Sequence, residues 1–282
     1  MTIADILNSY EEVKNDLKFQ SMSSVRIKIM ISLSEGSKKT ENLTELTGMQ
    51  TSGILYCIKE LEKERLISKD GNNYYLTKIG QKITSNLVDI IKTIIVVKKT
   101  RNLWLNHEID AIPQELLMKI GDLSKSELIE SENTDLAKTH ETHIQVVLNS
   151  KEIKGVSPIF YSDYIETFNT VLEKGVNVEL ILTEDILKKT IESLDGMEDL
   201  NKLISAENLT VWKLDNNIKV AFTVTDKIMT LGLFSNEGIH DSTRLLISED
   251  EDALQWGNKL FDYYLKKAQK VNLEDLKEIC FN

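Results

Sequence analysis

The chain has 282 residues, a length that suits two domains of ordinary size, and its 41% hydrophobic residues, 12 glycines and 2 prolines exclude a disordered or low-complexity chain. The formal net charge is −11, yet residues 1–101 carry 16 Lys/Arg against 12 Asp/Glu, a balance of +4 that leaves −15 for the rest. A mildly basic head on an acidic body permits local contact with a polyanion and opposes indiscriminate adhesion to one.

The N-terminal stretch is acidic from Asp5 onward and lacks the basic start and apolar run of a secretory signal. Ile3, Ile6, Leu7, Tyr10, Val13 and Leu17 fall near helical spacing, which predicts a helix over 2–20 that packs on the next domain or on a second subunit. A second helix over 23–35 is expected after the Ser23-Ser24 cap, with Val25, Ile29, Met30 and Leu33 on its apolar face and Gly36 at its end. Asn42 to Gly48 reads as a short helix capped by Asn42. After a tight turn, Thr51-Ser52 caps a longer helix to about Arg65 that turns Ile54, Ile58 and Leu61 inward, with Cys57 as a small core residue. Asp70-Gly71-Asn72-Asn73 between short apolar stretches is a hairpin signal. Thr77 then caps a long helix to about Arg101, whose apolar content exceeds what one face needs and predicts burial on two sides, with pairing across a two-fold axis. Its most apolar part, Leu87–Val97, contains Asp89 and Lys92 and is too short to span a bilayer.

Residues 102–145 read as mainly helical, including Pro113–Ile120 and Ser126–Ile129. Strands are then expected at 153–157 and 176–182 on either side of a helix over 162–173, a strand-helix-strand unit that predicts a parallel pair. A helical region over 185–204 leads to strands at 209–214, 218–225 and 228–234, separated by turns at Asn216-Asn217 and Asp226-Lys227. A further strand is expected at 245–247, and an amphipathic helix at 253–268 follows. The reading is therefore α+β: a winged helix-turn-helix over 1–80, a helical linker and dimerisation region over 81–145, and an α/β domain over 146–282. Cys57 and Cys280 are far apart and form no metal-type pair, which fits a reducing, cytoplasmic setting.

Helix, short helix, tight turn, longer helix and hairpin is the order of a DNA-binding winged helix-turn-helix, whose third helix enters the major groove. The candidate base-reading residues are Thr51, Ser52 and Tyr56, with Leu55 beside them. Lys59 and Lys63 share the outward face and are candidates for phosphate contact. The helix starts at Ser24, Asn42 and Thr51 offer backbone N–H groups to phosphate oxygens. Lys38, Lys39 and Thr40 precede the second helix of the motif, and Lys69 and Asn73 sit at the wing. Double-stranded DNA and a second copy of the chain are the expected partners.

Leu61–Gly71 and Tyr75–Gly80 resemble the archaeal ArsR/TrmB-type winged-helix regulators. Ile153–Pro158, Gly175–Thr183 and Ala253–Tyr264 resemble the methanogenesis-regulator family of methanogenic archaea. The resemblance implies an archaeal transcription regulator, dimeric, in which a winged-helix head precedes a middle domain of uncharacterised ligand. The alternating strands and helices of 150–268 are also similar to the phospholipase-D-like fold, which sugar-sensing TrmB regulators use without catalysis. An active member needs His-x-Lys, and none of His107, His140, His143 and His240 has Lys two residues later.

No phosphate-binding loop and no G-x-S-x-G elbow occurs. His140 and His143 share a helix face with metal-like spacing but sit in a polar stretch that also suits a solvated face, so no metal and no cofactor is expected. A sensor pocket in an α/β unit lies beyond the carboxyl ends of its strands. That places candidate ligand contacts at Ser157, Pro158, Tyr161, Thr183 and Glu184, joined by Phe222, Phe234 and Ser235 from the later strands. A small-molecule effector is expected there. The alternative is a protein-interaction module of the transcription machinery with no ligand of its own.

Overall fold

The computed structural model describes residues 2–194, 196–215 and 217–275. Cys280 and the expected turn residue Asn216 lie outside them. The chain divides into two compact units, residues 1–91 and 92–282.

The first unit opens with α1 (Ile3–Ser21), whose Thr2 cap accepts the Asp5 N–H. Next come α2 (Ser24–Ser34), β1 (Lys38–Lys39), α3 (Thr40–Thr47) and α4 (Thr51–Lys63). The hairpin β2 (Ile67–Asp70) and β3 (Asn73–Leu76) follows, and α5 (Lys78–Lys99) runs on into the second unit. The elements of a winged helix-turn-helix thus occur in the expected order. Gly71 holds the hairpin turn with φ 55, a region that glycine enters without steric cost. Ile29, Met30, Leu33, Leu43, Ile54, Ile58, Leu61, Ile67 and Leu76 form the core, with Ile83 and Leu87 of α5 packed against it. Cys57 is part of this core, and burial pushes its thiol pKa up.

Three expected caps shift. The residue capping α2 is Ser23, whose Oγ accepts the Arg26 N–H at 3.3 Å, so Ser24 is the first helical residue. Asn42 lies inside α3 and turns back to accept the Lys39 N–H at 3.3 Å, which starts that helix two residues early. Gln50 occupies the cap of α4 in extended conformation with no side-chain hydrogen bond, and Thr51 is already helical. Lys38 and Lys39, expected just before the second helix of the motif, pair with Tyr74 and Asn73 of β3 as a third strand.

The second unit continues with α6 (Arg101–Asn106), β4 (His107–Glu108), α7 (Gln114–Leu117), a 3-10 turn at Ile120–Leu123 and β5 (Glu127–Glu130). After α8 (Lys138–Leu148) come β6 (Glu152–Ser157), α9 (Asp163–Glu173), β7 (Asn177–Thr183), α10 (Glu184–Glu192) and α11 (Met197–Ser205). The chain then runs through β8 (Leu209–Leu214), β9 (Val220–Thr225), β10 (Met229–Ser235) and β11 (Arg244–Ser248) to α12 (Glu251–Leu265) and β12 (Gln269–Lys270). The described strands form one mixed sheet in the order β12-β8-β7-β6-β9-β10-β11-β5, with β4 on β10. β6, β7 and β8 are parallel and the other pairs antiparallel, so the expected parallel pair is present.

Two expectations fail here. Residues 102–145 are not mainly helical: Ser126–Ile129 falls largely on β5, whose Leu128 and Ile129 pair with Leu246 and Leu245 of β11 more than a hundred residues later. A four-residue segment with two apolar residues does not reveal its period, and a distant strand decides it. The helix over 185–204 is split, because Gly196 at φ 107 leaves the helical region.

Side chains alternate across the sheet. One face sends Val156, Ile181, Val220, Phe222, Val224 and Leu231 onto Trp256, Leu260 and Phe261 of α12. The buried Trp256 indole donates to the Leu116 carbonyl at 2.9 Å and ties α7 to the same core. The other face meets α8–α11 through Ile153, Val178, Leu182 and Val211.

Gly80, in the first turn of α5, has the least room of the glycines, since a Cβ there would lie 1.9 Å from the Leu66 carbonyl oxygen. Gly80→Ala is expected to destabilise the first unit by about 1–3 kcal/mol. At Gly53, in the first turn of α4, a Cβ meets nothing within 4 Å, and Gly53→Ala is expected to stabilise by up to about 1 kcal/mol. Urea unfolding of the two variants beside the parent chain checks both signs.

Candidate nucleic-acid interface and ligand cavity

Helix α4 is amphipathic because its apolar residues fall at helical spacing. Ile54, Cys57, Ile58 and Leu61 are buried, while Thr51, Ser52, Leu55, Tyr56, Lys59 and Lys63 are exposed. The exposed set forms one stripe along the helix. Its first turn has no side-chain cap, so the N–H groups there are available to an acceptor. Lys69 and Asn73 are exposed on the hairpin, and the Lys69 ammonium lies 5.4 Å from the Tyr74 ring centre. Ser24, Lys39 and Asn42 are exposed, and Thr40 is half-buried at the start of α3. Lys38 is half-buried and lies 3.6 Å from Glu35, which partly offsets its charge.

A cavity of about 160 Å³ lies in the second unit, on the sheet face covered by α8–α11. Its floor is made of small residues: Gly155, Ala221, Thr223, Thr230 and Gly232. Register makes them neighbours, since Gly155 is opposite Thr223, Thr223 opposite Thr230, and Ala221 opposite Gly232. One end of the cavity is aliphatic, with Leu180, Leu182, Ile186, Leu187, Leu203 and Ile204. The other carries rings: His140 lies 4.1 Å from Tyr161 between ring centres, Tyr161 5.3 Å from Tyr164, and His143 5.7 Å from Tyr164.

The polar groups of the wall are largely engaged with one another. Arg244 donates to Asp241 at 2.9 Å and to Glu130 at 2.9 Å. His140 Nε2 lies 2.7 Å from Asp163 Oδ2, and Thr230 Oγ1 lies 3.4 Å from His143 Nδ1. Burial pushes His143 down to about 4, and the neighbouring His140 and His240 push the same way. Burial also holds His240 at about 4 against the attraction of Asp241. Burial would raise Asp241, but hydrogen bonds from Thr243, His107 and Arg244 outweigh it and set the carboxyl at about 2. Tyr161 and Tyr164 are both raised, chiefly by burial.

Of the expected ligand contacts, Ser157, Tyr161 and Phe222 line this cavity. Pro158, Thr183, Glu184, Phe234 and Ser235 do not. Thr183 instead caps α10 by accepting the Ile186 N–H, and Glu184 is the exposed first residue of that helix. Phe234 and Ser235 pair with Glu108 and His107 of β4, beyond the end of the floor. His143, Tyr164 and His240 were not anticipated as lining residues. The available signal was small residues at alternate positions, Ala221 and Thr223 on β9 and Thr230 and Gly232 on β10, beside Gly155 on β6. Among the described residues no group of three or more His, Cys, Asp or Glu is placed to hold a metal ion, and no helix is long and apolar enough to cross a membrane.

Residues 14–95 match the model of the N-terminal domain of the methanogenesis regulatory protein FilR1, and residues 136–267 match the model of its middle domain. The chain belongs to the methanogenesis regulatory protein family. It is 26% identical over 267 residues to methanogenesis regulatory protein FilR1 of Methanothrix harundinacea, an alignment that covers 93% of this chain and 59% of that protein. The chain therefore spans about three-fifths of the length of that relative. An uncharacterized HTH-type transcriptional regulator of Methanocaldococcus jannaschii, MJ0925, is 34% identical over 71 residues, 23% of this chain and 67% of that protein. Among solved structures, that of TrmBL2, described as an archaeal chromatin protein with a novel mode of DNA binding, is 13% identical and covers 88% of this chain and 94% of its own. Its TM-score of 0.42 is too low to establish a shared fold.

The histidines give the second unit a pH dependence of definite sign. His143 and His240 titrate near 6.5 in an unfolded chain and near 4 in the fold. Their contribution is complete above 6.5 and is lost as pH falls toward 4, because each takes up about one proton on unfolding. Unfolding free energy measured between pH 7 and 4 should fall with that slope, and His143→Gln should reduce the slope by about one proton.

Proposed function

We propose that this chain is a DNA-binding transcription regulator that acts as a homodimer and whose second unit senses a small ligand. The observation that carries the reading is the exposed stripe of α4, where Thr51, Ser52, Tyr56, Lys59 and Lys63 stand free of the core beside the hairpin. The first unit is then a winged helix-turn-helix with α4 in the major groove. Thr51, Ser52 and Tyr56 face base edges, and Lys59, Lys63 and Lys69 meet phosphates. Ser24, Lys38, Lys39, Thr40, Asn42 and Asn73 belong to the same reading as backbone contacts, with Lys38 the weakest because of Glu35. Membership of a family of methanogenesis regulators supports it, as does the likeness of a 71-residue stretch of the chain to an HTH-type transcriptional regulator.

The dimer is supported by apolar surface that one copy leaves uncovered. Helix α1 has no buried residue and exposes Ile3, Ile6, Leu7, Val13 and Leu17. Helix α5 exposes Ile79, Ile90, Ile94 and Val97. Ligand sensing is supported by the cavity, and a ligand would act by shifting the separation of the two DNA-reading helices in the dimer. A mixed sheet with helices on both faces is compatible with a non-catalytic phospholipase-D-like fold, which we include in this reading. The expected division into a head over 1–80, a linker over 81–145 and a sensor over 146–282 is carried in it as functional parts.

Two measurements test it. Binding to DNA upstream of the chain's own gene should weaken steeply with salt. Lys59→Ala and Lys63→Ala should each weaken it on all sequences and lower the salt slope by about 1. Retention of full affinity and slope in the double variant would favour a protein-docking head instead. Sedimentation should give a dimer, and Ile90→Glu with Ile94→Glu should give a folded monomer that binds the same DNA at least tenfold more weakly.

A further inference from the structure

The cavity in the second unit is a consequence of side-chain size on one face of the sheet. On the α12 side the central strands carry Val156, Phe222, Val224 and Leu231, all buried. On the other side the same strands carry Gly155, Ala221, Thr223, Thr230 and Gly232. The helices above cannot fill the gap, because the rings of Tyr161, Tyr164 and Phe168 contact one another and brace that end. His143 lies deep in the unit yet keeps accessible surface, and it lines the cavity.

The charge of the wall is balanced internally. Asp241 and Arg244 are the acidic and basic residues that line it, and they bind each other at 2.9 Å. Glu130 completes the neutralisation of Arg244 from outside the lining. His140 is engaged by Asp163. Among the described lining residues, an anionic head group would find no uncompensated cation and a cationic one no uncompensated carboxylate. A charge brought in unpaired is costly at such a site. The same physics holds His143 and His240 neutral.

We propose that this cavity binds a small, uncharged, largely aliphatic molecule carrying one hydrogen-bonding group. Its apolar body lies against Leu180, Leu182, Ile186 and Leu203, and its polar group lies among His143, Tyr164 and Thr223. A cavity of this volume suits about six to ten non-hydrogen atoms, given that about 150 Å³ holds benzene. This deepens the sensor reading above and rests on it.

Calorimetric titration of the full chain at pH 7 with 1-octanol, octanoate and octylammonium tests the ligand class. The expected result is saturable one-to-one binding of 1-octanol, at least tenfold tighter than either ion. Ala221→Phe places a ring on the cavity floor and should weaken octanol binding at least tenfold with its unfolding midpoint preserved. Should that variant not fold, Thr190→Phe on α10 fills the same space from above and should give the same loss. Equal or tighter binding of octanoate or octylammonium overturns the proposal, as does absence of octanol binding or octanol binding indifferent to the filled cavity. Octanol bound as expected with DNA affinity unchanged supports the ligand class and overturns the sensing role alone.

Discussion

Strict alternation of side chains along β6 to β10 is the constraint on which the second unit depends. Each strand must satisfy two different neighbours at once, α12 below and α8–α11 above. The sequence meets this by placing bulk at one parity and small residues at the other. Val220, Phe222 and Val224 alternate with Ala221 and Thr223 along a single strand, and Leu231 stands between Thr230 and Gly232 on the next. Slipping any central strand by one residue would turn the Phe222 ring away from α12 and leave Trp256 facing alanine and threonine. The packed core and the cavity therefore come from the same register and cannot be altered independently.

The first unit solves a different problem with a helical period. Its core must be closed by three short helices and a hairpin, and α4 must keep one face unburied. Ile54, Ile58 and Leu61 close the core from one side, which leaves Tyr56, Lys59 and Lys63 exposed on the other. The wing is pinned to this core by Leu66, Ile67, Tyr74 and Leu76. The Thr77 hydroxyl donates to the Arg65 carbonyl at 2.7 Å and joins the end of the hairpin to the end of α4. The exposed helix and the hairpin are thus held in one frame.

Much of this was legible in the amino-acid order, where local chemistry decides. Gly71 marks the hairpin, Thr77 caps α5 by accepting the Gly80 N–H, and the strands β6 and β7 follow from apolar runs around an amphipathic helix. What was not legible depends on distant partners. Strand β5 is a strand because β11 reaches it, and β1 because β3 does. The same holds for the cavity. Ser157, Tyr161 and Phe222 were accessible from strand-end reasoning, but His143 and His240 reach it from a helix and a loop that only tertiary packing brings together. His140 and His143, which read as a metal pair or a solvated face, are instead stacked among tyrosines.

The two ends of the large sheet are short and charged. At one end the last strand is the two-residue β12, Gln269–Lys270, and at the other the four-residue β5 begins and ends in glutamate. Like edges brought together would oppose lysine to lysine or glutamate to glutamate across a ladder too short to compensate. Joining of like edges, one route by which sheets coalesce into insoluble material, is thereby disfavoured.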